Sequence, residues 1–147
     1  MTPAKIIAAL QDKLQASTDL SYINDAHIFV GRRKAIANYP VIVIEPSGNK
    51  VVSREYPYEN IALKVVIAAG LRVYDEEKQF VGDTSIRGIL DFENDIKKAV
   101  SSDNTLGGEC IDMNILDVQN DDAEDYPIRS FIINVEILYR QNITTRA

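Results

Sequence analysis

The stretch Ile61-Ala62-Leu63-Lys64-Val65-Val66-Ile67-Ala68-Ala69-Gly70-Leu71-Arg72-Val73 decides the fold of this 147-residue chain. Large apolar side chains occupy alternate positions along it, namely Ile61, Leu63, Val65, Ile67, Leu71 and Val73. A period of two predicts a β-strand with one buried face and one wetter face. At about 3.3 Å per residue this strand spans roughly 40 Å, well beyond the usual length of a strand. A strand this long outruns one small core, so we expect part of it to contact another subunit.

The remaining residues predict two helices and further strands around this long one. A second alternating run, residues 131–140, closes the chain with the same period. The other predicted elements are a helix at 3–16, strands at 26–30 and 39–45, a helix at 84–100 that follows an N-cap at Asp83, and a strand at 109–118. The order α-β-β-β-α-β-β contains neither a repeat nor a linker. It predicts a single α+β domain over residues 1–147, with a mainly antiparallel or mixed sheet packed by two helices.

Several short segments carry local predictions. The residues Pro46-Ser47-Gly48-Asn49 predict a turn that closes the strand at 39–45. Residues 50–60 either begin the long strand early or form an arm that projects from the domain. The sequence Tyr-Pro at 39–40, 56–57 and 126–127 predicts the start of a strand at each place, because proline favours extended geometry in the residue before it. Residues 141–147 are predicted to form a flexible tail.

Composition limits the classes of function. The net charge is −6, from 22 acidic and 16 basic side chains. This balance argues against a protein that mainly grips nucleic acid, because such a protein needs a basic face. The single cysteine, Cys110, cannot form an internal disulfide and favours a reducing compartment. The sequence shows neither an apolar signal segment nor an apolar run of about 18 residues, so a soluble intracellular protein without a membrane partner is expected.

No group of residues predicts a catalytic or metal site. Cys110 and His27 are the only residues of their types, and a small buried thiol and a structural histidine are the favoured interpretations. One histidine and one cysteine cannot complete a tetrahedral zinc site without other ligands. The acidic loop at 121–125 lacks the glycine and glutamate that a calcium-binding EF-hand loop requires. We therefore expect no catalytic residue, cofactor or metal.

The order of the elements resembles the tail terminator, or tail-completion, proteins of tailed bacteriophages, the group typified by the lambda terminator. The resemblance covers residues 5–141. It is carried by the strand at 39–46, the run at 61–74, the helix at 83–100 and the strand at 128–141, which ends in Leu138-Tyr139-Arg140. These features form a pattern of elements rather than a signature motif, and residues 51–58 and 121–125 have no assigned counterpart in it.

The resemblance implies a non-enzymatic virion protein that assembles in the cytoplasm of the bacterial host into a ring, expected to be a hexamer. Such a ring caps the head-proximal end of the tail tube, stops its polymerisation and offers a surface to the head-completion or neck protein. An acidic lumen would let DNA pass without binding it. We expect subunit contacts from exposed or charged residues of the basic turn, the arm and the long strand: Arg32, Arg33, Lys34, Arg54, Tyr56, Tyr58, Lys64 and Arg72.

Two other interpretations remain open from the sequence. The chain can be a different ring-forming subunit of the same machinery, such as a tail tube, head–tail connector or neck protein. It can also be a small-molecule-binding or enzymatic α+β domain, which would show a concave pocket with convergent polar groups. For Arg32, Arg33 and Lys34 the favoured interpretation is a solvated loop, ahead of an ion-pairing contact with an acidic neighbouring subunit.

Overall fold

The computed structural model describes residues 2–31, 38–84, 87–120 and 127–145, without the side chain of Glu76. The basic cluster Arg32-Arg33-Lys34 and the acidic loop at 121–125 lie outside the described residues, so what was expected of them stays a prediction. The elements are α1 (Pro3–Ala16), β1 (Ile28–Val30), β2 (Val41–Glu55), β3 (Tyr58–Arg72), α2 (Glu76–Val81), α3 (Ile89–Ser101), β4 (Asp112–Asn120) and β5 (Ile128–Asn142). Two short 3-10 turns, Thr18–Leu20 and Asp25–His27, lie between α1 and β1.

The five strands form one mixed sheet in the order β1-β2-β3-β5-β4. Strand β1 runs parallel to β2, and every other neighbouring pair is antiparallel. This confirms the predicted α+β class and the mixed sheet. A third helix, the short α2, is added to the two that the sequence predicted.

The central pair β3–β5 sets the register of the sheet. Its fifteen residue pairs follow one another without a bulge, from Tyr58 opposite Asn142 to Arg72 opposite Ile128. Because both strands alternate in phase, the odd-numbered apolar residues of β3 lie beside the odd-numbered apolar residues of β5 on one face. Ile67 opposite Ile133 and Val65 opposite Val135 are fully or almost fully buried there. The alternation of apolar residues at 61–73 therefore predicted the buried face correctly.

Two helices cover this face. Helix α1 begins after an N-cap at Thr2, whose hydroxyl accepts a hydrogen bond from the Lys5 amide, and it buries Leu10 and Leu14. Helix α3 buries Phe92 and Ile96. The Phe92 ring packs edge-to-face on Phe131 of β5, with ring centroids 5.5 Å apart. The helix layer is thereby joined to the sheet near the beginning of β5.

The predicted start of the second long helix is wrong. Helix α3 begins at Ile89 rather than at Thr84, and the chain forms α2 before it. Gly88 is the N-cap of α3, where a Cβ atom would lie 2.5 Å from the backbone oxygen of Phe80 and from the amide nitrogen of Gly82. The chain therefore needs glycine at this position because the end of α2 approaches its backbone closely.

The turn predicted at Pro46-Ser47-Gly48-Asn49 is also wrong. These four residues continue β2, which runs ten residues past the predicted end at Glu45 to Glu55. The register shifts between Pro46 and Gly48, so the strand absorbs this segment as a bulge instead of reversing. Proline is tolerated there because an edge strand does not need every N–H group.

The other boundaries move by a few residues. Strand β1 begins at Ile28 rather than at residue 26, and β4 begins at Asp112 rather than at residue 109. Residues 141 and 142, predicted as part of the tail, extend β5, and the Ile143 amide donates to the Pro57 carbonyl oxygen at 2.7 Å. Residues 50–60 form the far end of the β2–β3 hairpin, in which β2 continues to Glu55 and β3 begins at Tyr58. The long strand therefore begins earlier than Ile61.

The two faces of β3 are expected to differ in how much a truncated side chain destabilises the fold. Ile67→Ala is expected to lower the free energy of unfolding by about 2–5 kcal/mol, because Ile67 is fully buried beside Ile44 and Ile133. The neighbouring change Val66→Ala, on the opposite and half-buried face, is expected to cost less than about 1.5 kcal/mol. Urea unfolding of both variants measures the difference. Equal losses would contradict the assignment of the core to the odd-numbered face.

Candidate assembly surface

The β2–β3 hairpin carries the most exposed part of the described chain. Every residue of β2 from Pro46 to Glu55 is exposed, and the turn at Tyr56-Pro57 leaves the Tyr56 side chain 82% exposed. By contrast, β3 is paired with β5 from Tyr58 to Arg72 and with β2 from Tyr58 to Gly70. The open edge near the hairpin tip therefore belongs to β2 and not to β3.

We call residues 46–55 the distal edge of β2. Strand β1 pairs with β2 only from Ile42 to Ile44. Beyond that point β3 pairs with one side of β2, and no described strand lies on the other side. Two bulges interrupt the distal edge, one at Ser47 and one at Val52. Val52 is the extra residue of the second bulge, and its side chain is 58% exposed. Bulges on an open edge restrict indiscriminate pairing with other strands.

Three residues predicted to form subunit contacts lie together near the hairpin tip. The Arg54 guanidinium is 3.5 Å from the carboxylate of Glu59, which is only 4% exposed, so Arg54 also neutralises an acid of its own chain. The Tyr58 ring lies under the Arg140 guanidinium, 5.5 Å from its carbon. Tyr56 stands free of these contacts at the tip, where it is the most exposed large apolar side chain described.

The other two predicted residues lie elsewhere on the sheet. Lys64 sits in the middle of β3 on the face away from the helices, opposite Glu136. Arg72 ends β3, about 46 Å from Tyr58 at 3.3 Å per residue, and its guanidinium lies 4.9 Å above the Tyr39 ring. The predicted residues therefore do not converge on one patch.

The opposite edge of the sheet was not predicted as a contact surface. It is formed by β4, whose only strand neighbour among the described residues is β5. A bulge between Ile115 and Asp117 leaves Leu116 53% exposed, and Ile111 just before the strand is 43% exposed. The sequence contains a signal for this bulge. The inward-facing apolar residues change from odd positions, Met113 and Ile115, to an even position at Val118. Such a change of phase indicates an inserted residue.

The chain also has a cleft of about 440 Å³ at the end of the sheet remote from the hairpin tip. It is lined by Tyr22, Tyr39, Pro40, Leu71, Arg72, Val73, Asp83, Thr84, Arg87 and Phe92. Two of its polar lining residues, Tyr22 and Arg87, are engaged with the neighbouring Asp95. The almost fully buried Asp95 carboxylate accepts hydrogen bonds from Arg87 Nε and Nη2 at 2.8 and 2.7 Å and from the Tyr22 hydroxyl at 2.8 Å.

This network fixes charge states rather than preparing a reactive group. Burial, followed by the hydrogen bond to Asp95, raises the pKa of Tyr22, so its hydroxyl keeps its proton. The same carboxylate raises the pKa of Arg87 through their hydrogen bonds. The arrangement ties Tyr22, next to the first 3-10 turn, to helix α3, and it works as a structural clamp.

Cys110 and His27 do not form a nucleophile–base pair. His27 precedes β1 and Cys110 precedes β4, which are opposite edges of the sheet, four strand spacings or about 19 Å apart. Burial raises the pKa of the Cys110 thiol to about 11, so the reactive thiolate is scarce at neutral pH. The thiol donates instead to the Asn104 carbonyl oxygen at 3.3 Å.

Among residues 2–31, 38–84, 87–120 and 127–145 no cluster of histidine, cysteine, aspartate or glutamate side chains is arranged to hold a metal ion. The helices within the same residues are all too short or too polar to cross a membrane.

Comparison with solved structures shows a likeness of fold. No family model matches the sequence, and no curated protein matches it either. The fold is similar to that of a chain in the structure of the virion of a native gene transfer agent particle, with a TM-score of 0.56 and 9% sequence identity. The alignment covers 92% of this chain and 94% of that chain. The likeness is one of fold and extends over nearly the whole of both chains.

The Asp95 network generates a stability prediction. Asp95→Asn is expected to lower the free energy of unfolding by about 1–3 kcal/mol, because the amide cannot accept all three hydrogen bonds and leaves donors without a partner. The matched control is Glu93→Gln on the same helix, whose carboxylate lies 3.7 Å from Lys97 in a surface pair. Its loss is expected to stay below about 0.5 kcal/mol in the same urea titration. If Asp95→Asn is as harmless as the control, the network is not a clamp.

Proposed function

We propose that this chain is a structural subunit of a phage-like particle and acts as a tail terminator. In this role it assembles into a ring, expected to be a hexamer, which caps the tail tube, stops its polymerisation and offers a surface to the head or neck. The observation that carries the proposal is the likeness of fold, over 92% of this chain and 94% of the other, to a chain of a gene transfer agent virion.

The geometry of the sheet supports a role in assembly. A ring subunit needs two different surfaces that complement each other, because each copy contacts its two neighbours through unlike patches. Among the residues that the structure describes, the distal edge of β2 and the outer edge of β4 are two unlike stretches of sheet edge without a neighbouring strand. It also projects an exposed hairpin that ends in Tyr56, and exposed aromatic side chains are common anchors of protein interfaces.

A non-enzymatic role agrees with the chemistry of the described residues. Tyr22 and Arg87 beside the cleft are bound to Asp95, and the single thiol is buried and protonated. A function that depends on shape requires neither a nucleophile nor a general base. With a net charge of −6 per copy, a ring of such subunits would repel DNA passing through its lumen rather than bind it.

The proposed partners are further copies of this chain, the tail tube protein and a head-completion or neck protein, at the head-proximal end of the tail. A tube, connector or neck subunit is the nearest alternative within the same machinery. Tube subunits stack into long cylinders, whereas a terminator forms one ring and stops.

Electron microscopy of the purified chain, alone and mixed with tubes of the cognate tail tube protein, tests the proposal. The expected result is single rings, or rings seated at tube ends that prevent further elongation. Long cylinders would replace the terminator assignment with that of a tube subunit. A chain that remains monomeric and leaves tube ends growing would overturn the proposed function.

The hairpin tip allows a residue-level test. Tyr56→Ala is expected to reduce ring formation or tube capping at least about tenfold, the loss of roughly 1.4 kcal/mol that one exposed aromatic anchor contributes. The unfolding free energy should change by less than about 0.5 kcal/mol, because the side chain is 82% exposed. Tyr74→Ala is the matched control, since Tyr74 is 72% exposed just beyond the other end of β3. An equal effect of both changes on assembly would remove the hairpin tip from the contact.

A further inference from the structure

We propose that neighbouring copies of this chain join edge to edge, with the distal edge of β2 in one copy docked against β4 of the next. The inference rests on the proposed function, because it names the contact that would close the ring. The occupant of each open edge is thus a second copy of the same chain.

Strand direction permits this contact in a rotationally symmetric assembly. From β2 through β3 and β5 to β4, each step in the sheet is antiparallel, so β2 and β4 run in opposite directions. Copies placed side by side by rotation about an axis along the strands therefore bring β2 and β4 together as antiparallel neighbours. Antiparallel strands need no connecting segment, so separate chains can supply them.

The register of the sheet then decides which side chains meet. Lys50, Ala62, Leu138 and Asp112 form one row across β2, β3, β5 and β4. Lys50 and Asp112 consequently lie on the same face and at the same height of the sheet. In copies related by this rotation, the ammonium group of Lys50 approaches the carboxylate of Asp112 in the next copy.

Exposed apolar side chains flank this ion pair at matching heights. Towards the hairpin tip, Val51 and Val52 follow Lys50, and Ile111 precedes Asp112. All three are more than a third exposed in the single chain. In the other direction, the exposed Pro46 lies level with Ile115 and so with the bulge that presents Leu116. An interface with apolar contacts on both sides of a charged pair fits the composition of stable protein contacts.

The bulges define the kind of contact. Val52 and Leu116 are the inserted residues of their strands, and each interrupts the line of backbone groups that a continuous ladder would need. The proposed contact is therefore made mainly by side chains, and it uses β4 only up to Leu116, because Val118–Asn120 lie level with Ile42–Ile44, where β1 already occupies the side of β2. Bulges at these places also discourage unlimited strand pairing, as a ring of fixed size requires.

Charge favours unlike edges over like edges. The distal edge of β2 carries Lys50, Arg54 and one acid, Glu55, whereas β4 carries Asp112 and Asp117 without any lysine or arginine. Pairing two copies through β2 would bring together two edges of net positive charge, and pairing through β4 would bring together two acidic edges, so both are disfavoured. One row of the β2–β4 contact, Glu45 level with Asp117, is unfavourable, although Asp117 accepts a hydrogen bond from Asn134 of its own chain.

Reversing each charge separately, and then together, tests the contact. Lys50→Glu and Asp112→Lys are each expected to reduce the fraction of rings, or of capped tubes, at least about tenfold, because like charges meet across every boundary. An equimolar mixture of the two variants, or both changes in one chain, is expected to restore assembly to within about threefold of the unchanged chain. Mass photometry and electron microscopy measure both effects. Recovery in the mixture also shows that each variant is folded.

The matched controls are Lys5→Glu and Asp12→Lys, which reverse exposed charges on α1 and should leave assembly unchanged. If the unchanged chain forms rings and Lys50→Glu or Asp112→Lys does too, the edge contact is wrong while the proposed function stands. Loss of assembly in both variants without recovery in the mixture also overturns the contact. If the unchanged chain neither forms rings nor caps tubes, the proposed function and the contact fail together.

Discussion

The fifteen-pair ladder between β3 and β5 is the constraint on which the rest of the structure depends. It has no bulge, so two strands with the same alternation place all their large apolar residues on one face. A slip of one residue would turn that face to solvent and leave α1 and α3 without a surface to cover. The Phe92–Phe131 contact holds the helix layer above this ladder, and the Asp95 carboxylate fastens α3 to the segment around Tyr22.

Irregularity is confined to the outside of the sheet. Strand β2 has two bulges and β4 has one, whereas the central pair has none. The interior thus specifies the fold, and the irregular geometry of the edges does not disturb it. This division suits the proposed role in assembly, because residues at the edges can change without disturbing the register that keeps the core dry.

The sequence predicted the parts of the fold that depend on local periodicity. The alternation at 61–73 and 131–140 identified the central strands and their buried face, and the spacing of Leu10 and Leu14 identified α1. It failed where long-range pairing overrides a local signal. Pro46 and Gly48 indicate a turn in isolation, yet pairing with β3 holds them in a strand. The start of α3 was missed because it depends on Gly88, whose backbone lies close to the end of α2. Which strands lie at the edges could not be predicted, because this follows from the order of the strands in space. A local signal existed only for the bulge in β4, in the change of phase between Ile115 and Val118.

Hydrogen exchange of the chain before and after assembly tests whether the sheet edges, rather than the helices, join the subunits as proposed. The outward-facing amides of residues 46–55 and 111–116, which do not donate to β3 or β5, are expected to exchange readily in the single chain and to become protected in the ring or at tube ends, while protection of α1 and α3 is unchanged. New protection confined to α1 and α3, with both edges still exchanging in the assembled particle, would contradict it.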